Sequence, residues 1–178
     1  MSVPILKWSI KDKMNIKVIT EEEDIKAYYT LLHKAITEEG QFFRLSPCDM
    51  VDESFPSQNT NDYFTLGAFS EEGELLGTVG FKRDTFYKLQ HKGLVFRMYV
   101  DSKAKGLGLG RKLLQALMEK ATQNSELRQL YLYVVASNHR AKSLYTSEGF
   151  EIFATEKGSV RMAENEYVDE NMMVKYLC

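Results

Sequence analysis

The sequence predicts a single α/β domain built on one mixed sheet, and three observations carry that expectation. β-rich runs recur at residues 15–20, 63–69, 75–83, 94–100, 130–136, 150–155 and 171–177. Apolar residues at helical spacing fill residues 21–40, 111–121 and 138–148. The resulting order, β-α-(α)-β-β-β-α-β-α-β-β, contains no internal repeat and suits one layered core. With 178 residues, 44% of them hydrophobic, the chain can bury roughly 70% of its unfolded surface without a disulfide or a metal.

Each element has a local reason. Ile16 and Val18 alternate with Lys17 as in a short strand. Thr20 followed by Glu21, Glu22, Glu23 and Asp24 reads as a capped helix start, because free amides and the helix dipole favour acidic residues there. Ile25, Tyr28, Tyr29, Leu32 and Ile36 then continue at helical spacing to Gly40. Residues 41–61 are an irregular connection with a short helix expected near Asp49 to Ser54, of the kind that shapes a substrate entrance. Ser70-Glu71-Glu72-Gly73 is a hairpin turn between two strands. Leu109, Leu113 and Leu117, with Leu114 and Met118 beside them, form one apolar helix face. Gly149 ends the last helix as a C-terminal cap.

Composition excludes several classes. Twenty-three basic against twenty-five acidic residues leave a formal charge of −2, which argues against a general nucleic-acid binder. Cys48 and Cys178 make neither a metal-ligand spacing nor a disulfide framework, so reduced thiols in a cytoplasmic protein are expected. No apolar run approaches the ~18 residues of a membrane helix, and Pro4 and Lys7 interrupt any secretory signal. Residues 1–13 read as an appended arm, with Met14 an alternative start and 14–178 the domain proper.

Two segments carry chemistry. Gly106, Gly108 and Gly110 alternate between an apolar strand and an amphipathic helix, so backbone amides can approach a ligand closely. The helix start adds unpaired N–H groups and a positive dipole end, and Lys105 and Arg111 add charge. This is a cradle for a phosphate or diphosphate; tight helix-on-strand packing is the competing explanation. The G-x-G-x-G spacing is not a dinucleotide fingerprint, and Gly110-Arg111-Lys112 is not a P-loop. Farther on, Asn138, Ala141 and Tyr145 share one helical stripe. An amide, a small residue and a phenol in line suit an elongated ligand, although Tyr145 could equally pack in the core.

Together, residues Val100 to Leu114 and Leu132 to Phe150 follow the pattern Val-x5-(Lys)-Gly-x-Gly-x-Gly-x2-Leu-Leu, then Leu-x-Val-x3-Asn-x2-Ala-x2-Leu-Tyr-x3-Gly-Phe. That pattern resembles the GCN5-related N-acetyltransferase (GNAT) superfamily, in its bacterial form, over roughly residues 14–177. Lys105 departs from the usual Arg or Gln of the family; it keeps the charge but not the planar fork. The resemblance implies a GNAT-like fold: a mixed, mostly antiparallel central sheet with flanking helices, whose fourth and fifth strands (residues 94–100 and 130–136) are parallel and splayed. It implies acetyl-CoA as co-substrate and no metal. Met98, Tyr99 and Val100 would bind the pantetheine arm. The turn of Lys105, Gly106, Leu107, Gly108, Leu109, Gly110 and Arg111 would hold the diphosphate. Asn138 and Ala141 would contact the cofactor, and Tyr145 would face its sulfur.

The implied reaction is direct attack of an amine on the thioester. A phenol with a pKa near ~10 can protonate a departing thiolate whose acid lies near ~8.5. Backbone N–H groups can polarise the carbonyl. Asp84, His91 and Glu39 are candidates for the base, each equally readable as a surface group. The aromatic pairs Tyr28-Tyr29, Phe42-Phe43 and Phe86-Tyr87 are candidates for an acceptor pocket or for core packing. Acidic clusters at Glu21 to Asp24, Glu38-Glu39 and Asp49 to Glu53 read either as solvated surface or as suited to a cationic amine such as a polyamine or lysine, whereas Arg44 would suit an acceptor carboxylate; the two pull in opposite directions and name no acceptor. The expectation is an N-acetyltransferase acting on a small-molecule or peptide amine, without nucleic acid or membrane, and with a homodimer left open. The alternative is a non-catalytic CoA-binding or partner-binding module of the same fold.

Overall fold

The computed structural model describes residues 14–51 and 53–177. The expected arm, residues 1–13, and Cys178 lie outside them, and Cys48 is an exposed free thiol. Chain order is β1 (Asn15–Val18), α1 (Glu22–Glu39), β2 (Tyr63–Phe69), β3 (Leu75–Arg83), β4 (Lys92–Val100), α2 (Leu109–Ala121), β5 (Gln129–Val135), α3 (His139–Ser147), β6 (Glu151–Ala163) and β7 (Glu166–Tyr176).

The strands make one sheet ordered β1-β2-β3-β4-β5-β7-β6. All neighbours are antiparallel except β4 and β5, which run parallel. β2 and β3 are buried along nearly their whole length because both faces are covered, hence their almost unbroken runs of apolar and small residues. On one face Leu109, Leu113, Leu114 and Leu117 of α2 pack with Phe64, Val79, Phe81, Tyr145 and Phe150. On the other, Tyr28, Leu31, Leu32 and Ile36 of α1 pack with Ile19, Phe69, Leu75 and Tyr99. Helical spacing of apolar residues thus places one helix on each side of a shared sheet.

Three details differ from the sequence-based expectation. α1 is capped by Glu21, not Thr20, whose hydroxyl instead donates to the Glu21 carboxylate at 3.3 Å. The short helix expected near Asp49 is a 3-10 turn at Pro47–Met50, where the Asp49 carboxylate accepts from both the amide and the hydroxyl of Ser46. β6 and β7 are much longer than the short strands expected at 150–155 and 171–177. Their extension through Val160↔Val168 and Arg161↔Tyr167 is an exposed hairpin with polar residues on β6, so it lacks an apolar alternation to read.

One long-range pair ties this hairpin to the loop after α1. Arg44 donates from Nε to both oxygens of Glu170, at 2.9 and 3.0 Å, and from its terminal nitrogen at 2.5 Å. The Ser159 hydroxyl adds a bond at 2.7 Å, and the guanidinium lies 4.2 Å from the Tyr133 ring centre. Burial pushes the Glu170 carboxyl up, but the bonds from Arg44 and Ser159 outweigh it and hold the group below its ordinary range. Because the native state then binds fewer protons than the unfolded one, this stabilisation is present above the ordinary carboxyl pKa and is lost as pH falls through the native value. Arg44→Met should cost roughly 2 kcal/mol near pH 7, less than a fully buried pair because Arg44 is half exposed. That cost should shrink between pH 5 and 3 in urea unfolding; a cost independent of pH would mean the pair is not what the substitution removes.

Candidate active site

β4 and β5 pair only at Lys92↔Gln129, Gly93↔Leu130 and Leu94↔Tyr131. Beyond Leu94 they part, each held by its outer neighbour: β4 by β3 as far as Val100, and β5 by β7 as far as Val135. The main-chain groups of β4 that face the gap therefore lack a strand partner over residues 95–100. A bulge sharpens the parting. Gly80 pairs with Phe96 and Thr78 with Tyr99, so Val79 faces both Arg97 and Met98. Arg97 takes a φ of +50°, and its guanidinium is anchored by the Glu53 carboxylate and by Tyr28 Oη at 3.3 Å.

The open ends of the strands lead to two cavities. The first, about 400 Å³, runs from the end of β4 past the glycine turn to α3. Gly106 and Gly108 have φ of +82° and +77°, a conformation that favours glycine, and a Cβ at Gly110 would come within 3.2 to 3.3 Å of Leu144 and Met98. Leu109, Gly110 and Arg111 supply the first-turn amides of α2, the donors that a helix leaves without an internal acceptor. They sit at the positive end of α2, whose first turn holds no acidic residue. Asp101 fixes the approach to this turn. Its carboxylate accepts from the Lys103 amide at 2.9 Å and pairs with Lys34 at 2.7 Å. Burial would raise its pKa, but these partners lower it. Arg111 is aimed by Ser147 Oγ at 3.0 Å and by Glu148 at 3.2 Å, across the gap to α3.

The second cavity, about 390 Å³, lies on the α1 side, against the loop after α1 and the hairpin of β6 and β7. Phe42, Phe43, Leu94, Phe96 and Tyr133 give it an aromatic lining, and its two cations, Arg44 and Arg97, are both paired with carboxylates. Glu39, Met98, Tyr99, Asn138, Ala141 and Tyr145 line both cavities, so the two spaces meet there. The Tyr145 side chain is buried and faces both cavities, and that burial pushes its pKa up to about 12.

The residues singled out in the sequence converge. Met98, Tyr99, Val100, Lys105, Gly106, Gly108, Leu109, Gly110, Arg111, Asn138, Ala141 and Tyr145 all line the first cavity. Leu107 does not; its side chain packs against the core beneath the turn. Asn138 precedes α3 as its cap, its side-chain oxygen accepting the Ala141 amide at 3.1 Å, which leaves its NH₂ to donate to a ligand. Lys105 pairs with Glu39 instead of standing free. Among the candidate bases, Glu39 borders both cavities. Asp84 accepts from Tyr131 at 3.2 Å and the His91 carbonyl accepts the Arg128 and Gln129 amides, which puts both at the closed end of the strand pair. The aromatic pairs separate as well: Phe42 and Phe43 line a cavity, Tyr28 is fully buried, and Phe86 and Tyr87 are exposed. Arg140, Ser143, Leu144 and Ser147 were not anticipated; they continue the stripe of α3 beside Ala141 and Tyr145, a spacing that could have revealed them.

Among the described residues no helix is long and apolar enough to cross a membrane, and no three His, Cys, Asp or Glu side chains cluster as metal ligands.

Known proteins are similar to this chain in sequence and fold. The spermine/spermidine N(1)-acetyltransferase of Bacillus subtilis is 29% identical over 167 residues, covering 92% of this chain and 99% of the relative. A GNAT-family acetyltransferase from Streptococcus pneumoniae superposes with a TM-score of 0.82 at 24% identity, over 93% of this chain and all of that one. A Salmonella typhimurium structure described with its cofactor acetyl-CoA gives 0.73 at 20% identity, over 94% and 95% of the two chains. The model of the acetyltransferase (GNAT) family matches residues 27–150, which span the parted strands, the glycine turn and α3. The chain belongs to the acetyltransferase (GNAT) family.

Proposed function

We propose that the protein transfers the acetyl group of acetyl-CoA to a primary amine of a small molecule or peptide by direct attack, with the two reactants entering from opposite sides of the parted strands. The observation that carries this reading is the meeting of the two cavities at Tyr145. The residues present fit the donor. The first-turn amides of α2, its dipole and the side chain of Arg111 suit a diphosphate. The unpartnered edge of β4 near Met98 to Val100 suits an amide-bearing arm that adds itself like a strand. Acetyl-CoA would supply a thioester whose carbonyl carbon an amine can attack, with the CoA sulfur as the leaving group.

The chain's own groups then hold and move protons. Main-chain N–H groups freed by the bulge at Arg97 can polarise the carbonyl. Tyr145 keeps its proton to high pH and offers it to the departing sulfur. A phenol near 12 is a weak acid for an ordinary thiolate, but the apolar burial that raises Tyr145 also raises the proton affinity of a thiolate beside it. For the acceptor, the paired state of Arg44 and Arg97 leaves the second cavity without a free cation to bind a carboxylate. This disfavours the amino-acid acceptor that Arg44 suggested in the sequence. It supports a polyamine-like amine, the class named for the Bacillus subtilis relative.

Tyr145→Phe should lower kcat by ~10²–10⁴ while acetyl-CoA still binds; a rate within twofold of the unsubstituted protein removes the acid role. Because the hydroxyl stays protonated below about 12, this group should produce no alkaline fall in kcat between pH 7 and 10. In a turnover screen across polyamines, amino acids, aminoglycosides and peptide N-termini, spermidine and spermine should lead. Turnover confined to α-amino acids would overturn the charge argument, and tight CoA binding with no turnover on any amine would favour the binding-module reading.

A further inference from the structure

The C-terminal end of α1 meets the start of the glycine turn through a single pair. Lys105 Nζ binds the Glu39 carboxylate, and the ammonium lies 5.7 Å from the Tyr99 ring centre. Neither partner is deeply buried; their side chains are 23% and 30% exposed. The pair also sits on a boundary. Lys105 lines only the cavity of the glycine turn, whereas Glu39 lines that cavity and the second one. A diphosphate resting on the turn carries more charge than one carboxylate, brings the turn's amides with it, and needs the same ammonium. A partly exposed pair is screened by solvent and weaker than a buried one, so it can exchange.

We propose that Glu39 and the diphosphate of acetyl-CoA compete for Lys105, so that donor binding frees the Glu39 carboxylate to receive the cationic amine in the second cavity. Glu39 is then a coupling residue. It restrains the donor site until the nucleotide arrives and serves the acceptor site afterwards, which favours binding of the donor first. The other charged groups around it are committed: Glu38 accepts from Tyr99 at 3.3 Å, Lys34 pairs with Asp101, and Arg44 and Arg97 have their own carboxylates. No other carboxylate lining both cavities is present among the described residues. The inference rests on the donor and acceptor assignment proposed above, and it deepens that assignment by linking the two sites.

A double-mutant cycle read by calorimetry tests it, with CoA as the probe so that no turnover intervenes. Glu39→Gln should bind CoA about two- to fivefold more tightly than the unsubstituted protein, because Lys105 is no longer shared. In the Lys105→Met background the same substitution should change CoA affinity by less than about 1.5-fold. Equal tightening in both backgrounds would reveal only the removal of a negative charge near a polyanion and would overturn the exchange, as would no tightening at all. The kinetic counterpart is a split: with the best amine of the turnover screen, Glu39→Gln should lower the KM for acetyl-CoA and raise the KM for the amine at least threefold. Both constants moving in the same direction would overturn the coupling. Failure of the unsubstituted protein to bind CoA would instead sink the donor-site reading, so the two failures are distinguishable.

Discussion

The site depends on one departure from regular sheet structure, the end of hydrogen bonding between β4 and β5 after Leu94 and Tyr131. A parallel pair in mid-sheet is normally continuous, because unpaired main chain in an interior costs free energy. Here continuity is prevented from both sides. β5 follows β7 in unbroken register from Gln129 to Val135, while the bulge at Arg97 and Met98 turns the end of β4 away. The guanidinium of Arg97, tied to Glu53 and Tyr28, holds that turn against α1. The gap cannot close without breaking those ties, so the cost of unsatisfied main chain is stored where an extended ligand can satisfy it.

The two ends of the gap are closed by different chemistry. Toward α2 the wall is main chain and positive dipole, with glycine at 106 and 108 because of their backbone angles and at 110 because Leu144 and Met98 stand close. Toward the loop after α1 the wall is aromatic and its charges are paired. Tyr145 stands between them, buried and lining both cavities. In the proposed reading a polar end anchors the donor and Tyr145 faces the thioester, the division of labour expected when binding energy from a remote group positions a labile bond.

What could be read in the sequence was what is encoded locally. Three alternating glycines before an amphipathic helix, and a small residue and a phenol four apart on another, are patterns within one element, and they placed all but Leu107 of the named residues on one cavity. Features made by distant parts of the chain stayed hidden. Arg44 and Glu170 are 126 residues apart, and Lys105 and Glu39 are 66 apart; nothing local distinguishes either arginine or lysine from a solvated one. The bulge at Arg97 leaves no mark because a β-strand accepts arginine as readily as its neighbours. Asn138 lies one residue before the helix that the sequence pattern starts at it, since the cap and the first helical position look alike in a sequence. The length of β6 is hidden because it is an edge strand whose exposed residues carry no apolar alternation, and the extra start of β7 pairs only with that edge.

The hidden pairs are also the ones that determine charge in the cavities. Counted as residues, the second cavity holds two arginines and two glutamates and could suit either an anionic or a cationic guest. Counted as pairs, its guanidiniums are already neutralised, one by a nearly buried carboxylate that cannot let go without a desolvation penalty. Among the described residues, the Glu39–Lys105 pair is the one whose carboxylate lines both cavities, and it is partly exposed on both sides, so an exchange there would connect one cavity to the other. The specificity of such a site is therefore set less by which charged residues line it than by which of them are free to move.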